Sequence, residues 1–156
     1  MQTVTVPMES LAEIIKLQLE SAGRANLTVT GSSMLPMLRN RRDTVTLIPV
    51  SDPQKGDVVL FQRKSGQYIL HRIVAVRKDG YICCGDNQAE LEPVTGDQMI
   101  AVVDSFTRKR KRYTVDALGY RLYTAVWVNL FFLRRPYIAL RRCLGRLRSK
   151  LRNRYK

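Results

Sequence analysis

The chain has 156 residues, enough for one domain of ordinary size, and its 45% hydrophobic content favours a folded core over disorder. No run of about 18 uncharged apolar residues occurs, which argues against a clear membrane-spanning helix. The first ten residues also lack the basic start and apolar run of a secretory signal. The net charge of +14 is concentrated at one end, because residues 108–156 carry 16 basic residues and one acid. A basic tail of this kind attracts anionic lipid, nucleic acid or an acidic partner.

The number and spacing of the cysteines narrow the possible classes of protein further. The three cysteines, Cys83, Cys84 and Cys143, include one adjacent pair and no C-x-x-C spacing. An odd number with this spacing argues against a disulfide framework and against a structural zinc site. We therefore expect a chain that uses neither a metal nor a cofactor.

The pattern of apolar residues predicts one helix followed by a β domain. Within residues 1–26, apolar side chains recur at helical spacing up to Gly23, so we expect a short amphipathic helix there. Residues 27–107 change to short β-rich runs separated by turn residues, at 27–30, 44–50, 58–62, 68–77, 81–84 and 99–106. This pattern is typical of a compact, mainly β domain with antiparallel strands.

The last third of the chain, residues 108–156, forms a predicted basic and aromatic helical tail. A basic run at 108–112 is expected to be a linker or surface segment, and 118–133 is apolar and aromatic. Pro136 can open a further helix, in which leucines recur every three or four residues and arginines fill the other face. We expect 118–156 to bind a membrane surface peripherally, on a side that the sequence leaves open. The alternative is that the apolar stripe packs on the β domain and the arginines are solvated.

The most informative segment is Thr30-Gly-Ser-Ser-Met-Leu-Pro-Met-Leu38, which comes after a predicted strand. A serine at the point where a strand breaks into a turn can project its hydroxyl group into a cleft. Gly31 gives the backbone freedom for such a turn, and Pro36 stiffens the backbone after the turn. Main-chain N–H groups at such a break can form an oxyanion hole. The segment is therefore a candidate nucleophile turn, with a plain surface turn as the alternative.

A serine nucleophile needs a base, and His71 is the only histidine in the chain. It lies in a nearly continuous apolar run, where alternation places Ile69, His71 and Ile73 on one face of a strand. The ordinary pKa of imidazole, about 6.5, suits a general base near neutral pH. The alternative is a core histidine with no catalytic role.

Four short boxes resemble, in family order, those of signal peptidases. They are Gly31-x-Ser33-Met-x-Pro36-x-Leu38, Gly56-Asp-Val-Val59, Leu70-His-Arg-Ile-Val74 and Gly85-Asp-Asn87. The first two boxes are also similar to those of LexA-type self-cleaving repressors. Each box is weakly specific alone, whereas the ordered set is highly specific. The resemblance implies Ser33 as nucleophile and His71 as general base. Histidine rather than lysine at that position is similar to the Ser–His branch of the endoplasmic reticulum and archaea.

The same resemblance implies a LexA/signal-peptidase-like β fold and further site residues. A third catalytic group, an acid, is expected within or after the Gly-Asp-Asn box. Asp86 is the preferred candidate and Glu92 the competing one. The alternative for Asp86 is a turn-forming role without catalysis. The main-chain N–H of Ser33 and the hydroxyl of Ser32 are the expected oxyanion hole. The peptide or preprotein substrate is expected to bind as an extended strand, and family members prefer small side chains just before the cut.

These features predict a serine endopeptidase that cleaves leader or signal peptides. The chain departs from typical signal peptidases because it shows neither a leading membrane-spanning helix nor a large second β domain. One alternative is a LexA-type self-cleaving protein, although 26 residues with one predicted helix leave little room for a helix-turn-helix. Another alternative is a membrane or nucleic-acid binder with an inactive peptidase core. Nucleic acid is the weaker of those partners, because the tail shows no recognisable recognition module.

Overall fold

The computed structural model describes residues 8–130, together with Pro136 and Leu140. Its elements in chain order are helix α1 (Met8–Ala22), strands β1 (Ala25–Thr28), β2 (Thr44–Ile48), β3 (Val58–Gln62), β4 (Tyr68–Arg77), β5 (Gly80–Cys84), β6 (Glu92–Val94), β7 (Met99–Arg108) and β8 (Lys111–Thr114), and helix α2 (Leu118–Asn129). The rest of the predicted arginine-rich helix after Pro136 lies outside the described residues, as do residues 1–7. Within the described part, no helix is long and apolar enough to cross a bilayer.

The predicted mainly β architecture is confirmed. The strands form one 8-stranded sheet in the order β1-β2-β7-β3-β4-β5-β6, with β8 paired to β7, and every pairing is antiparallel. The predicted alternation decides which side chains enter the core. In β2, for example, Val45 and Leu47 are fully buried between half-exposed threonines.

The basic run at 108–112, expected to be a linker or surface segment, lies at the surface and forms a hairpin rather than a linker. Strand β7 runs to Arg108, and β8 begins at Lys111 and pairs back along it. Lys109 and Arg110 form the tight turn with φ values of 48° and 66°. Phe106 and Tyr113 stack across the two strands with ring centroids 5.4 Å apart, a cross-strand contact that stabilises the pairing.

The two larger of three apolar clusters among the described residues fill the two faces of the sheet, and the third joins Val74 and Cys84 to Val128 of α2. The larger one lies under α1, whose Ile15 and Leu19 are buried, and includes Met34 and Leu38 of the β1–β2 connection. The smaller one includes Val59, Phe61, Ile73 and Cys83 and lies on the other face of β3, β4 and β5. Adjacent residues of β4 therefore enter different environments, which matters for the pair His71 and Arg72.

Two strand edges remain open near the β1–β2 connection. Strand β1 pairs with β2 on one side, and its other side pairs with no strand in the described sheet. Strand β4 pairs with β3 from Tyr68, but its pairing with β5 begins only at Arg72. Residues 68–71 of β4 therefore offer a second free edge.

Candidate active site

The candidate nucleophile turn is a closed loop between β1 and β2. Its two ends are tied together, because the Val29 N–H donates to the Asp43 carbonyl at 3.0 Å and the Arg41 N–H donates to the Val29 carbonyl at 2.7 Å. Inside the loop, the Gly31 N–H donates to Asn40 Oδ1 at 3.0 Å. Gly31 has a φ of 83°, a region in which glycine is favoured, so the predicted need for backbone freedom is met there.

Ser33 lies half-buried in this loop and contacts the Gly-Asp-Asn box directly. The Asn87 N–H donates to the Ser33 carbonyl at 2.7 Å, and Asn87 Nδ2 donates to the Ser32 carbonyl at 3.2 Å. Gly85 permits this approach, because a Cβ atom there would lie 2.8 Å from the Ser33 carbonyl oxygen. Among the described residues the Ser33 N–H has no hydrogen-bond acceptor, so it is available as an oxyanion donor.

Arg72 links all four boxes. Its guanidinium binds Asp86 through two hydrogen bonds, Nε to Oδ1 at 2.9 Å and Nη2 to Oδ2 at 2.8 Å, and both side chains are fully buried. It also donates from Nη1 to the Gly56 carbonyl at 2.7 Å and contacts Met37 Sδ at 2.8 Å. Burial by itself lowers the pKa of Arg72, but the attraction of Asp86 outweighs it and raises that pKa.

The importance of Arg72 was not predicted from the sequence, although a signal was present. A single cation inside a nearly continuous apolar strand requires a carboxylate partner, because an unpaired charge in the core is costly. Asp86 is that partner. The alternation of β4 places Arg72 on the opposite face of the strand from His71, so the two neighbours serve different parts of the site.

Helix α2 encloses the Arg72–Asp86 pair with its aromatic face. Tyr123 Oη donates to Asp86 Oδ2 at 3.1 Å, and Trp127 Nε1 donates to the Asp86 carbonyl at 3.2 Å. Arg72 in turn donates to Tyr120 Oη at 3.0 Å. The sequence predicted a membrane surface for this aromatic segment; the structure directs these three side chains toward the β domain.

His71 lies on the smaller apolar cluster, opposite Val59 in β3, and only 2% of it is exposed. The Phe61 ring packs edge-on against it with centroids 6.1 Å apart. The buried Nδ1 atom has no hydrogen-bond partner among the described residues. Burial among apolar groups lowers the pKa of His71 from 6.5 to about 4, against an opposing attraction from Glu92. His71 is therefore neutral at physiological pH.

The structure separates the two candidate acids. Asp86, the preferred candidate, binds Arg72, whereas Glu92 Oε2 lies 3.9 Å from His71 Nδ1. Glu92 is held in place by Arg63, which donates to Oε2 from Nη2 at 2.7 Å and to Oε1 from Nε. Of the described carboxylates, only that of Glu92 is within salt-bridge distance of His71. The geometry thus favours Glu92 as the group that orients the imidazole, and Asp86 as a group that organises the four boxes.

Ser33 lines a small cleft next to β4, but the alternation of that strand places the His71 side chain against Phe61 and the smaller apolar cluster, on the opposite face from Leu70. A cavity of about 110 Å³ has Ser33 and Leu70, the neighbour of His71, in its walls. Residues 27–30 and Tyr68 complete much of its lining. No hydrogen bond joins the described Ser33 and His71 side chains. Catalytic hydrogen bonds of this kind often tighten only when substrate is bound.

Comparisons of the chain with protein-family models, with curated proteins and with solved structures found no match. The function of this chain is therefore argued from its own residues and their geometry. The arrangement offers a half-buried serine with a free N–H donor in a small cleft, and a buried neutral histidine on a strand that lines the same cleft. Such groups can perform acyl transfer, provided that a substrate carbonyl is held next to the serine.

Proposed function

We propose that this protein is a serine endopeptidase of the signal-peptidase type, which cleaves leader or signal peptides. The observation that carries the proposal is the meeting of the four boxes at Arg72. The boxes are spread between Gly31 and Asn87, and each is weakly specific alone. Their convergence on one buried side chain supports the resemblance independently of their order in the sequence, because an accidental set of turns has no reason to share one partner.

The open strand edges support an extended peptide as the substrate. Residues of both free edges, β1 and 68–71, line the cavity that contains Ser33, so a peptide between them gains main-chain hydrogen bonds in the manner of β-augmentation. The cavity of about 110 Å³ beside Ser33 is small and lined by apolar residues such as Leu27, Leu60 and Leu70. It suits a small apolar side chain next to the cut, in line with the preference implied by the family resemblance.

The proposed mechanism begins with the neutral imidazole. A proton on Nδ1, facing Glu92, leaves Nε2 of His71 unprotonated, which is the form that a general base needs. Nε2 removes the hydroxyl proton of Ser33 as Oγ attacks the substrate carbonyl. The Ser33 N–H and the Ser32 hydroxyl stabilise the resulting oxyanion.

The tetrahedral intermediate then collapses to an acyl-enzyme. The imidazolium of His71 gives its proton to the leaving amine. Water then attacks the ester of Ser33 by the same steps, with His71 again as the base, and completes hydrolysis. The positive charge that forms on His71 is stabilised by the carboxylate of Glu92. This charge explains why an acid on that face of the sheet is useful although the resting histidine is neutral.

The test is cleavage of a mixed leader-peptide library by the purified full chain, followed by mass spectrometry. Ser33→Ala and His71→Ala should each reduce cleavage to the rate without protein. Ser65→Ala, a change at an exposed turn serine, is the matched control and should leave cleavage unchanged. The intact mass of the chain is recorded in the same samples, because loss of mass without peptide cleavage would indicate a self-cleaving protein instead. Cleavage that persists in Ser33→Ala would refute the assignment.

A further inference from the structure

The outer face of α2 carries an apolar stripe that no described residue covers. Leu118 is 72% exposed, Leu122 59%, Val126 55% and Leu130 47%. These residues recur every four positions, so they line one side of the helix. The aromatic residues that bind Arg72 and Asp86 lie on the inner side. Helix α2 is thus apolar on both faces, and only the inner one has a partner within the described chain.

A group of basic residues lies near the start of this stripe. Residues 108–130 contain six basic residues and one acid, Asp116, a net charge of +5. Five of the basic residues form the β7–β8 hairpin at 108–112, and the sixth, Arg121, is exposed on α2. The hairpin and the helix are adjacent, because Phe106 and Tyr120 pack with ring centroids 5.6 Å apart. The hairpin therefore lies beside the first turn of α2, where the apolar stripe begins at Leu118. We call the hairpin and the stripe together the α2–hairpin surface.

We propose that the α2–hairpin surface docks on an anionic lipid bilayer, with α2 lying in the interface plane and its leucine stripe in the acyl boundary. A helix with an apolar face beside basic residues binds anionic lipid by apolar burial and by electrostatic attraction together. Nucleic acid would use the basic residues but leaves Leu118, Leu122 and Val126 without a partner, since phosphate contacts are polar. A second copy would bring two hairpins of the same charge together.

The geometry also orients the molecule. The inner side of α2 holds Arg72 and Asp86, and next to Asp86 in the chain is Asn87, which binds the Ser33 loop. The lipid surface and the buried Arg72–Asp86 pair would thus lie on opposite sides of one helix. Docking through α2 would keep the Arg72–Asp86 pair within about one helix diameter, roughly 10–12 Å, of the bilayer surface.

The first experiment measures sedimentation of the full chain with vesicles of phosphatidylcholine and phosphatidylglycerol. Leu122→Gln with Val126→Gln should weaken binding at least about tenfold, because the inserted apolar area is lost. Ile14→Gln with Leu17→Gln is the matched control, since these α1 residues are 43% and 63% exposed and lie outside the surface. Equal losses of vesicle binding in the two double variants, or no loss in either, would overturn the proposal.

The second experiment tests the charged part with the same vesicles at about 0.1 M salt, where the screening length is about 10 Å. Lys109→Glu with Lys111→Glu should weaken binding at least about tenfold, whereas Arg77→Glu with Lys78→Glu, the same charge change at another exposed turn, should have a much smaller effect. Equal effects would indicate bulk charge alone and reject the surface.

Two further outcomes would assign the surface to another occupant. Tighter binding to a DNA duplex than to vesicles, insensitive to the glutamine changes, would indicate nucleic acid. Self-association that the Leu122→Gln and Val126→Gln chain loses would indicate a second copy. Vesicle binding is read without any peptide cleavage, so the outcome is independent of the proposed peptidase activity. The Ser33→Ala chain should bind vesicles as the unaltered chain does.

Discussion

The burial of a neutral histidine makes folding stability depend on pH in a defined direction. The folded-state pKa of His71 is about 4, against 6.5 when the side chain is free in water. Above pH 6.5 neither state is protonated and His71 contributes nothing to the pH dependence. As pH falls from 6.5 to 4, the unfolded chain takes up the proton while the folded chain does not, so the free energy of unfolding decreases. The full difference corresponds to about 3 kcal/mol, of which about 2 kcal/mol is lost by pH 5.

The assay is urea unfolding of the unaltered chain and of His71→Gln between pH 7 and pH 5. In this range ordinary carboxylates stay largely ionised, and His71 is the only histidine, so the difference between the two chains isolates one group. Trp127 is the only tryptophan and its indole binds Asp86 in the folded state, which makes its fluorescence a suitable probe. The unaltered chain should lose about 2 kcal/mol more than His71→Gln on acidification to pH 5.

Two results would refute this reasoning. If the free energy of unfolding of the two chains changed equally with pH, His71 would be solvated in the folded state. A gain in stability of the unaltered chain on acidification would mean that attraction by Glu92 outweighs burial and raises the pKa of His71. His71→Leu, which suits the apolar face, provides a second comparison if the glutamine variant is too unstable to measure.

Two other predictions concern the residues that join the boxes. Asp86→Asn should lower the free energy of unfolding by about 3–5 kcal/mol, because it leaves the Arg72 guanidinium buried without its charge partner; the double change Arg72→Met with Asp86→Leu should restore much of that loss in the same urea assay. Gly85→Ala should reduce kcat/KM for a cleaved peptide at least about tenfold, because a new Cβ atom 2.8 Å from the Ser33 carbonyl displaces the loop. Gly96→Ala, where the added atom meets nothing within 4 Å, should keep full activity. Equal activity of the two alanine variants would show that Gly85 does not position Ser33.

Much of the fold could be predicted from local sequence patterns. Strands β2, β3 and β4 lie where alternation and turn residues placed them, since side-chain periodicity and turn chemistry depend only on neighbouring residues. The residues of the candidate site were likewise recognisable as boxes, and Gly31 was expected at a strand-to-turn break. Such patterns could not predict which distant residue each side chain contacts. The basic hairpin at 108–112 shows this limit, because its charges suggested a linker or surface segment, whereas its pairing with β7 is a contact between two strands, across which Phe106 and Tyr113 stack.

The sequence by itself determined a mainly β fold and a short list of chemically capable residues, whereas the tertiary structure decided which of them meet. Alternation places His71 and Ile73 on one face, but only the register that pairs Ile73 with Cys83 and Cys83 with Glu92 brings that acid to the histidine. The same is true of α2, whose two faces are both apolar in sequence. The sheet distinguishes them, because only the inner face can satisfy the buried charges of Arg72 and Asp86.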